Sequence, residues 1–220
     1  MPQDPIPGPS RRAFMLVAGL TGLTGLVIQA HVTWHLAFFR GWSTATVVAK
    51  YLSYFTILTN ILLAVSFLIG SLAPRTRAGT FANRPATASA LLVYIAIVGI
   101  VYVLVLAGLW KPQGLQWWAD ILLHYATPVL CLIHWILFVP KTRLPWTAPL
   151  RWLGYPALYL VWALIHGGQT GHYAYPFIDL KALGAGRVLV NCLAMTGAFL
   201  LVGLLLTTIS RKLSDRNSSS

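Results

Sequence analysis

Six long apolar stretches constrain this chain more than any other feature. A helix needs about 20 apolar residues to cross about 30 Å of hydrocarbon, and only the fifth stretch falls short of that length. Lipid offers no partner for backbone polar groups, so such stretches cross it as helices. We therefore predict an all-α fold, an integral membrane six-helix bundle. The stretches cover residues 13–34, 51–72, 87–109, 119–139, 148–165 and 187–209.

Composition supports a membrane domain with short tails. The 220 residues are 57% hydrophobic and only 9% charged, whereas a soluble domain carries about 25% charged residues. Too few polar side chains remain to cover a separate soluble domain. We predict a disordered cytoplasmic tail over residues 1–12, one transmembrane domain over 13–210 and a second cytoplasmic tail over 211–220.

The net charge of +12 is explained by membrane topology, and we expect no nucleic-acid partner. Basic loops stay on the cytoplasmic side of a membrane, where they meet anionic lipid. Both termini are therefore predicted to be cytoplasmic, with the lipid bilayer as partner. Eleven of the 16 basic residues fall on the side of the termini: Arg11, Arg12, Arg75, Arg77, Arg84, Lys141, Arg143, Arg151, Arg211, Lys212 and Arg216.

Polar side chains gather at the opposite, outer end of the predicted bundle. Polar groups within a bilayer are costly and often functional, which favours a site in the outer leaflet. Interfacial side chains that reach toward water are the alternative, and position alone does not choose between them. The residues are His31, His35, Thr56, Thr59, Asn60, Asp120, His124, His166, His172, Tyr175, Asp179 and Asn191.

Thr56 and His124 share a predicted depth, each near a helix N-terminus. A threonine hydroxyl becomes a nucleophile when a base such as a neutral histidine takes its proton, and helix N-termini can help to stabilise an oxyanion. Asp120 lies one turn before His124, close enough to orient the ring. Pro128 has no N–H to bond the carbonyl of His124, so a kink is expected there.

Three segments resemble the androgen-induced-protein family of six-helix membrane proteins. That family includes the androgen-dependent regulator of tissue factor pathway inhibitor and a bacterial branch called Pr-six-Pr membrane proteins. The resemblance extends from the first helix to the sixth. Its segments are Tyr54-Phe55-Thr56-Ile57-Leu58-Thr59, His124-Tyr125-Ala126-Thr127-Pro128-Val129-Leu130 and Gly171-His172-Tyr173-Ala174-Tyr175-Pro176-Phe177-Ile178-Asp179.

The resemblance implies a hydrolase of lipid acyl esters in a bacterial cytoplasmic membrane. Animal members cleave fatty acid esters of hydroxy fatty acids with a threonine and a histidine, which correspond to Thr56 and His124. It implies no cofactor. Two positions depart from the family pattern: Thr59 stands where an acid is expected, and Gly167 stands where a second histidine is expected. Thr59 therefore remains an alternative nucleophile.

Further residues are candidates for support or substrate binding. Asn60 and Asn191 are candidates to steady an oxyanion, and Asp120 or His166 to orient the base. His172, Tyr175 and Asp179 complete the set in the outer loop. Three other functions stay open at this point: a metal or haem protein using His31 and His35, a transporter, and a scaffold without chemistry.

Overall fold

The computed structural model describes residues 6–218, and it is all-helical. Helix accounts for 83% of the described residues, and no strand occurs among them. The helices are α1 (Pro9–Arg40), α2 (Thr44–Tyr51), α3 (Phe55–Leu72), α4 (Arg77–Asn83), α5 (Pro85–Val101), α6 (Leu115–Ile121), α7 (Thr127–Phe138), α8 (Ala148–Trp152), α9 (Gly154–Thr170) and α10 (Leu180–Ser218).

Four shorter helical segments extend, join or precede these helices. A π-helical turn (Tyr102–Leu106) and a 3₁₀ turn (Ala107–Leu109) prolong α5. A second π-helical turn (Leu122–Ala126) joins α6 to α7. A 3₁₀ turn (Pro176–Ile178) precedes α10, which bends at Gly184 (φ 75°).

Five helical segments among the described residues are long and apolar enough to cross a membrane, which is typical of an integral membrane protein. The predicted fifth stretch, 148–165, divides differently: it is α8 followed by α9, and α9 has 17 residues. That length is at the lower end of the spanning range of about 17–25 residues. The five segments are Pro9–Arg40, Phe55–Leu72, Pro85–Leu109, Leu115–Phe138 and Leu180–Arg216.

Within the described residues, much of both predicted tails is helical. Helix α1 begins at Pro9, a residue that suits a first helical turn because its missing N–H needs no partner there. Arg12 Nε donates to the carbonyl of Ser71 at 2.7 Å, so residues 9–12 belong to the bundle. Residues 1–5 of the predicted tail lie outside the described residues. Helix α10 likewise continues beyond residue 211 to Ser218.

The helices run up and down between two ends of the bundle. At one end the start of α1 meets the end of α7, where the rings of Phe14 and Phe138 are 5.3 Å apart. Ser210 of α10 bonds Thr142 at the same end, with the Thr142 N–H donating at 3.1 Å. We call this the termini end. The opposite end, called the loop end, carries the segments 41–54, 110–114 and 171–179.

Helix α5 supplies much of the buried centre, including Val93 and Ile95, which are at most 1% exposed. Small residues let the other helices approach closely, as is common between membrane helices. A Cβ added at Gly25 would lie 2.9 Å from the Leu123 side chain. Helix α1 therefore packs tightly against the π-helical turn that carries His124.

Candidate functional site

Thr56 lies in the first turn of α3, which begins at Phe55. Helical threonines often bond back to the carbonyl four residues earlier, and Thr21 and Thr196 do so here at 2.9 Å. Thr56 has no preceding helical turn to bond. Its hydroxyl oxygen instead lies 3.4 Å from Tyr175 Oη. The side chain is buried, and its hydroxyl is bonded to Tyr175 instead of to its own helix.

Tyr175 makes two contacts with Thr56. The Thr56 N–H donates to Tyr175 Oη at 3.2 Å, so this phenol occupies the helix N-terminus. Burial raises the pKa of Tyr175, and the phenol keeps its proton at neutral pH. Because Tyr175 Oη accepts from the backbone, its own hydrogen is available to the Thr56 hydroxyl oxygen. The Thr56 hydrogen is then left for another acceptor.

His124 is held by a carboxylate and an aromatic ring. Its Nδ1 lies 3.1 Å from Asp120 Oδ1 and 3.2 Å from the Asp120 carbonyl. The Tyr102 ring stacks on the imidazole with centroids 3.9 Å apart and an interplanar angle of 19°. Asp120 is only 4% exposed. With Nδ1 directed to Asp120, Nε2 is the ring nitrogen left to take a proton.

Two π-helical turns face each other at this point, since one contains Tyr102 and the other His124. Such turns insert one residue into a helix and often occur at functional sites. Pro128, where the sequence predicts a kink, follows the second turn as the second residue of α7. A Cβ added at Gly99 would lie 3.3 Å from the His124 carbonyl oxygen, so α5 packs directly against that carbonyl.

Thr56 and His124 line the same cavity of about 440 Å³ at the loop end. We call it the polar cavity, because Lys50, Tyr54 and His172 also line it. Within residues 6–218, Thr56 and His124 form no direct hydrogen bond. They face a common space of the size that small-molecule sites use, about 300–1,000 Å³.

A second cavity, of about 250 Å³, lies between α3, α5, α9 and α10. Its walls are almost entirely aliphatic and aromatic, and we call it the apolar cavity. Thr56, Leu106 and Tyr175 line both cavities. Thr56 therefore lies in the wall between the two cavities, of which the polar cavity has the charged and imidazole side chains.

Thr59 and Asn60 are fully buried and line neither cavity. The Thr59 hydroxyl lies 3.1 Å from Tyr155 Oη. Asn60 Nδ2 donates to the carbonyls of Thr56 and Leu123, at 2.9 and 3.2 Å. With both amide hydrogens engaged, Asn60 is not positioned to steady an oxyanion as predicted. It instead ties the Thr56 turn to the residue before His124.

Two other predicted site residues line neither cavity and make structural contacts. Asp179 Oδ1 accepts from the N–H groups of Lys181 and Ala182, at 2.9 and 3.0 Å, and so caps the start of α10. Asn191 Nδ2 donates to the Phe177 carbonyl at 2.8 Å. Its contact holds the segment that carries Tyr175, and Asn191 is not placed to bind an oxyanion.

The other histidines at the loop end divide into two groups. His166 is buried, does not contact His124 and lies 6.2 Å from His172 between ring centroids. His31 and His35 are exposed, with ring centroids 6.3 Å apart. No three His, Cys, Asp or Glu side chains within the described part of the chain are grouped so as to hold a metal ion.

Three residues of this site were not predicted from the sequence. Tyr102 was not distinguishable from other membrane aromatics, and only the paired π-helical turns bring it to His124. Tyr54 is the first residue of the segment Tyr54–Thr59, and only its position directly before α3 could have indicated a role. Lys50 had a clearer signal, since it is one of five basic residues on the side with few charges.

The Gly167 position gives a direct test of how the loop end packs. A Cβ added there would overlap the Tyr173 ring, so Gly167→Ala is expected to destabilise the protein by about 1–3 kcal/mol. At the neighbouring Gly168 nothing lies within 4 Å of an added Cβ, and Gly168→Ala should be neutral or stabilising by up to about 1 kcal/mol. Thermal unfolding of the two variants measures the difference. Equal midpoints would contradict this packing.

Comparison of the chain with protein-family models, curated proteins and solved structures found no match. The function of the site is therefore inferred from its own geometry. That geometry combines a hydroxyl between two cavities with an imidazole paired to a buried carboxylate.

Proposed function

We propose that this protein is an integral membrane hydrolase of lipid acyl esters, with Thr56 as nucleophile and His124 as general base. One observation carries the proposal: Thr56 lines both cavities, and His124 lines the polar one. An acyl ester has an apolar chain and a polar remainder joined at the reacting carbonyl. Such a molecule fits two unlike compartments that meet at a nucleophile.

The reaction proceeds in two steps. His124 Nε2 takes the Thr56 proton, directly or through one water, while the hydroxyl oxygen attacks the ester carbonyl. The C–O bond to the alcohol then breaks, and His124 returns the proton to the departing alcohol. Water, activated by the same imidazole, cleaves the acyl-threonine to a carboxylic acid and free Thr56. No cofactor is required for either step.

Asp120 and Tyr175 support these steps. The Asp120 carboxylate, 3.1 Å from His124 Nδ1, stabilises the imidazolium that forms and keeps Nε2 as the basic nitrogen, as in other acid–base–nucleophile groups. The protonated Tyr175 phenol is a donor within 3.4 Å of the Thr56 oxygen. It is placed to donate to the oxyanion of the tetrahedral intermediate.

Thr56 is a better nucleophile candidate than Thr59. Thr56 lines both cavities, whereas Thr59 is 0% exposed and its hydroxyl lies against Tyr155. A substrate carbonyl has no space beside Thr59. This choice agrees with the position implied by the resemblance to the androgen-induced-protein family, which we retain as a proposal.

The proposed topology has six spans, with α9 as the short fifth. The basic residues Arg11, Arg12 and Arg211 belong to the termini end, which accordingly faces the cytoplasm. The loop end then faces outward, and the site lies in the outer leaflet of a bacterial cytoplasmic membrane. Acyl esters of that leaflet reach it laterally.

A fluorophosphonate probe tests the proposal. The probe phosphonylates an activated hydroxyl, so the purified protein should be labelled on the peptide that contains Thr56, as mapped by mass spectrometry. Labelling is expected to disappear in Thr56→Ala and to fall at least about 100-fold in His124→Gln, because general-base assistance contributes about 10²–10⁴-fold.

Thr59→Val is the matched control, since it removes the neighbouring hydroxyl and keeps the side-chain shape. It should retain its label on Thr56. A label on Thr59 in the unsubstituted protein would show that Thr59, one helical turn further on, is the nucleophile. The absence of both labelling and turnover of any acyl ester would overturn the hydrolase function.

A further inference from the structure

The polar cavity carries positive charge without a matching acid. Lys50 is the only lysine or arginine among its described lining residues, and no Asp or Glu lines it. Asp120 does not line the cavity, and its Oδ1 lies 3.1 Å from His124 Nδ1. A cavity of this kind favours an anionic occupant.

Three hydrogen-bond donors in this cavity have no acceptor within residues 6–218. His172 Nε2 is buried without a partner. Lys50 Nζ lies 4.8 Å from the centre of the Trp42 ring, and neither it nor Tyr54 Oη donates to another protein atom. Buried polar groups are normally satisfied, so the buried His172 Nε2 indicates a missing partner. The partly exposed Lys50 and Tyr54 side chains line the same cavity.

The donors are neighbours as well as being unpartnered. The Tyr54 and His172 rings are 6.3 Å apart. Burial, and then the nearby Lys50 and His166, lower the pKa of His172. Burial also lowers the pKa of Lys50. An anion placed among them would offset both effects, because opposite charge favours the protonated forms.

We infer that the polar cavity is a subsite for an anionic group, and that Lys50, Tyr54 and His172 bind the phosphate or carboxylate of the ester substrate. The inference rests on the proposed hydrolase function and narrows it. The substrate is a charged amphiphile, whose acyl chain occupies the apolar cavity and whose anionic group occupies the polar one. Thr56 then meets the ester bond between them.

Binding of three non-hydrolysable probes tests the subsite. Dodecyl phosphate, dodecanoate and 1-O-dodecylglycerol share one chain length and differ in the head. They are titrated into the full-length protein in phosphatidylcholine nanodiscs, with Trp42 and Trp110 of the cavity wall as fluorescent reporters. We expect at least one of the two anions to bind about tenfold more tightly than the neutral ether. A preference for one anion identifies phosphate or carboxylate as the natural group.

Lys50→Gln should remove this preference, and Lys111→Gln should keep it. Lys111 is an exposed loop-end lysine that lines neither cavity, so it controls for surface charge. Equal affinity for all three probes would overturn the subsite, as would an equal loss in both variants. A second readout needs no substitution: saturation with the better-binding anion should raise the pKa of His172 by NMR, and an unchanged pKa counts against the proposal.

The subsite and the hydrolase function fail separately. Thr56→Ala should bind the probes as the unsubstituted protein does. Anion preference without turnover of any ester would leave the subsite and remove the hydrolase function. Turnover without anion preference would remove only the subsite.

Discussion

Thr56→Ala is expected to lower kcat/KM for acyl ester hydrolysis by about 1,000-fold or more, because loss of a nucleophile removes the covalent route altogether. The fold should survive. The hydroxyl has a single long contact, 3.4 Å to Tyr175, and its loss should cost no more than about 1 kcal/mol. Hydrolysis rates and unfolding midpoints of the same nanodisc preparation separate the two effects.

Two conservative variants provide the controls. Thr56→Ser keeps the hydroxyl and should retain activity to within about tenfold. Thr59→Val loses only the contact to Tyr155 Oη and should stay within about threefold, with a stability loss of about 1 kcal/mol. Full activity in Thr56→Ala together with an inactive Thr59→Val would reassign the nucleophile.

If Thr56 and His124 act together, the rate of the double variant is also predicted. Residues that act as one catalytic unit give non-additive losses. Thr56→Ala combined with His124→Gln should therefore be scarcely slower than Thr56→Ala alone. Losses that multiply would mean that the two residues act independently, and would exclude their shared mechanism.

Much of the fold was predictable because lipid imposes simple rules on sequence. Apolar length marked five of the spanning segments, since nothing else in the chain explains such runs. The sequence could not place the break between α8 and α9, because residues 148–165 read as one apolar run. The predicted start of the first helix, residue 13, was also too late. Arg11 and Arg12 were assigned to the tail that precedes the helix, although their side chains bond to other parts of the bundle.

For the site, the sequence predicted only how far along its helix each candidate residue lies, and not which residues contact one another. Thr56, His124 and Asp120 were selected by depth and spacing, and two of these line one cavity. The contacts that define their environment come from residues distant in the chain: Tyr175 is 119 residues from Thr56. Tyr102 and His124 each lie in a π-helical turn, and their rings stack on each other. Helical periodicity of 3.6 does not predict such turns, so spacing arguments fail where they occur.

Asn60→Leu is expected to destabilise the protein by about 2 kcal/mol and to lower kcat at least about tenfold. Asn60 donates to the carbonyls of Thr56 and Leu123, and its Oδ1 accepts from Thr127 at 2.7 Å. Two of these bonds, to Leu123 and Thr127, leave α3. Hydrogen bonds between membrane helices contribute about 0.6 kcal/mol on average and about 1.7 at most, so the loss of two gives about 1–3 kcal/mol. Since these bonds fix α3 against the turn that holds His124, their loss should misalign nucleophile and base.

The separation of kcat from KM distinguishes positioning from simple stability. Asn60 lines neither cavity, so KM should stay within about threefold at temperatures well below unfolding. Ser89→Ala is the matched control: it removes a buried acceptor for Trp135 Nε1, bonded at 2.8 Å, in a different part of the bundle. That variant should lose stability but keep kcat. An Asn60→Leu protein that loses stability and keeps kcat would show that Asn60 only holds the helices together, and that Thr56 and His124 keep their alignment without it.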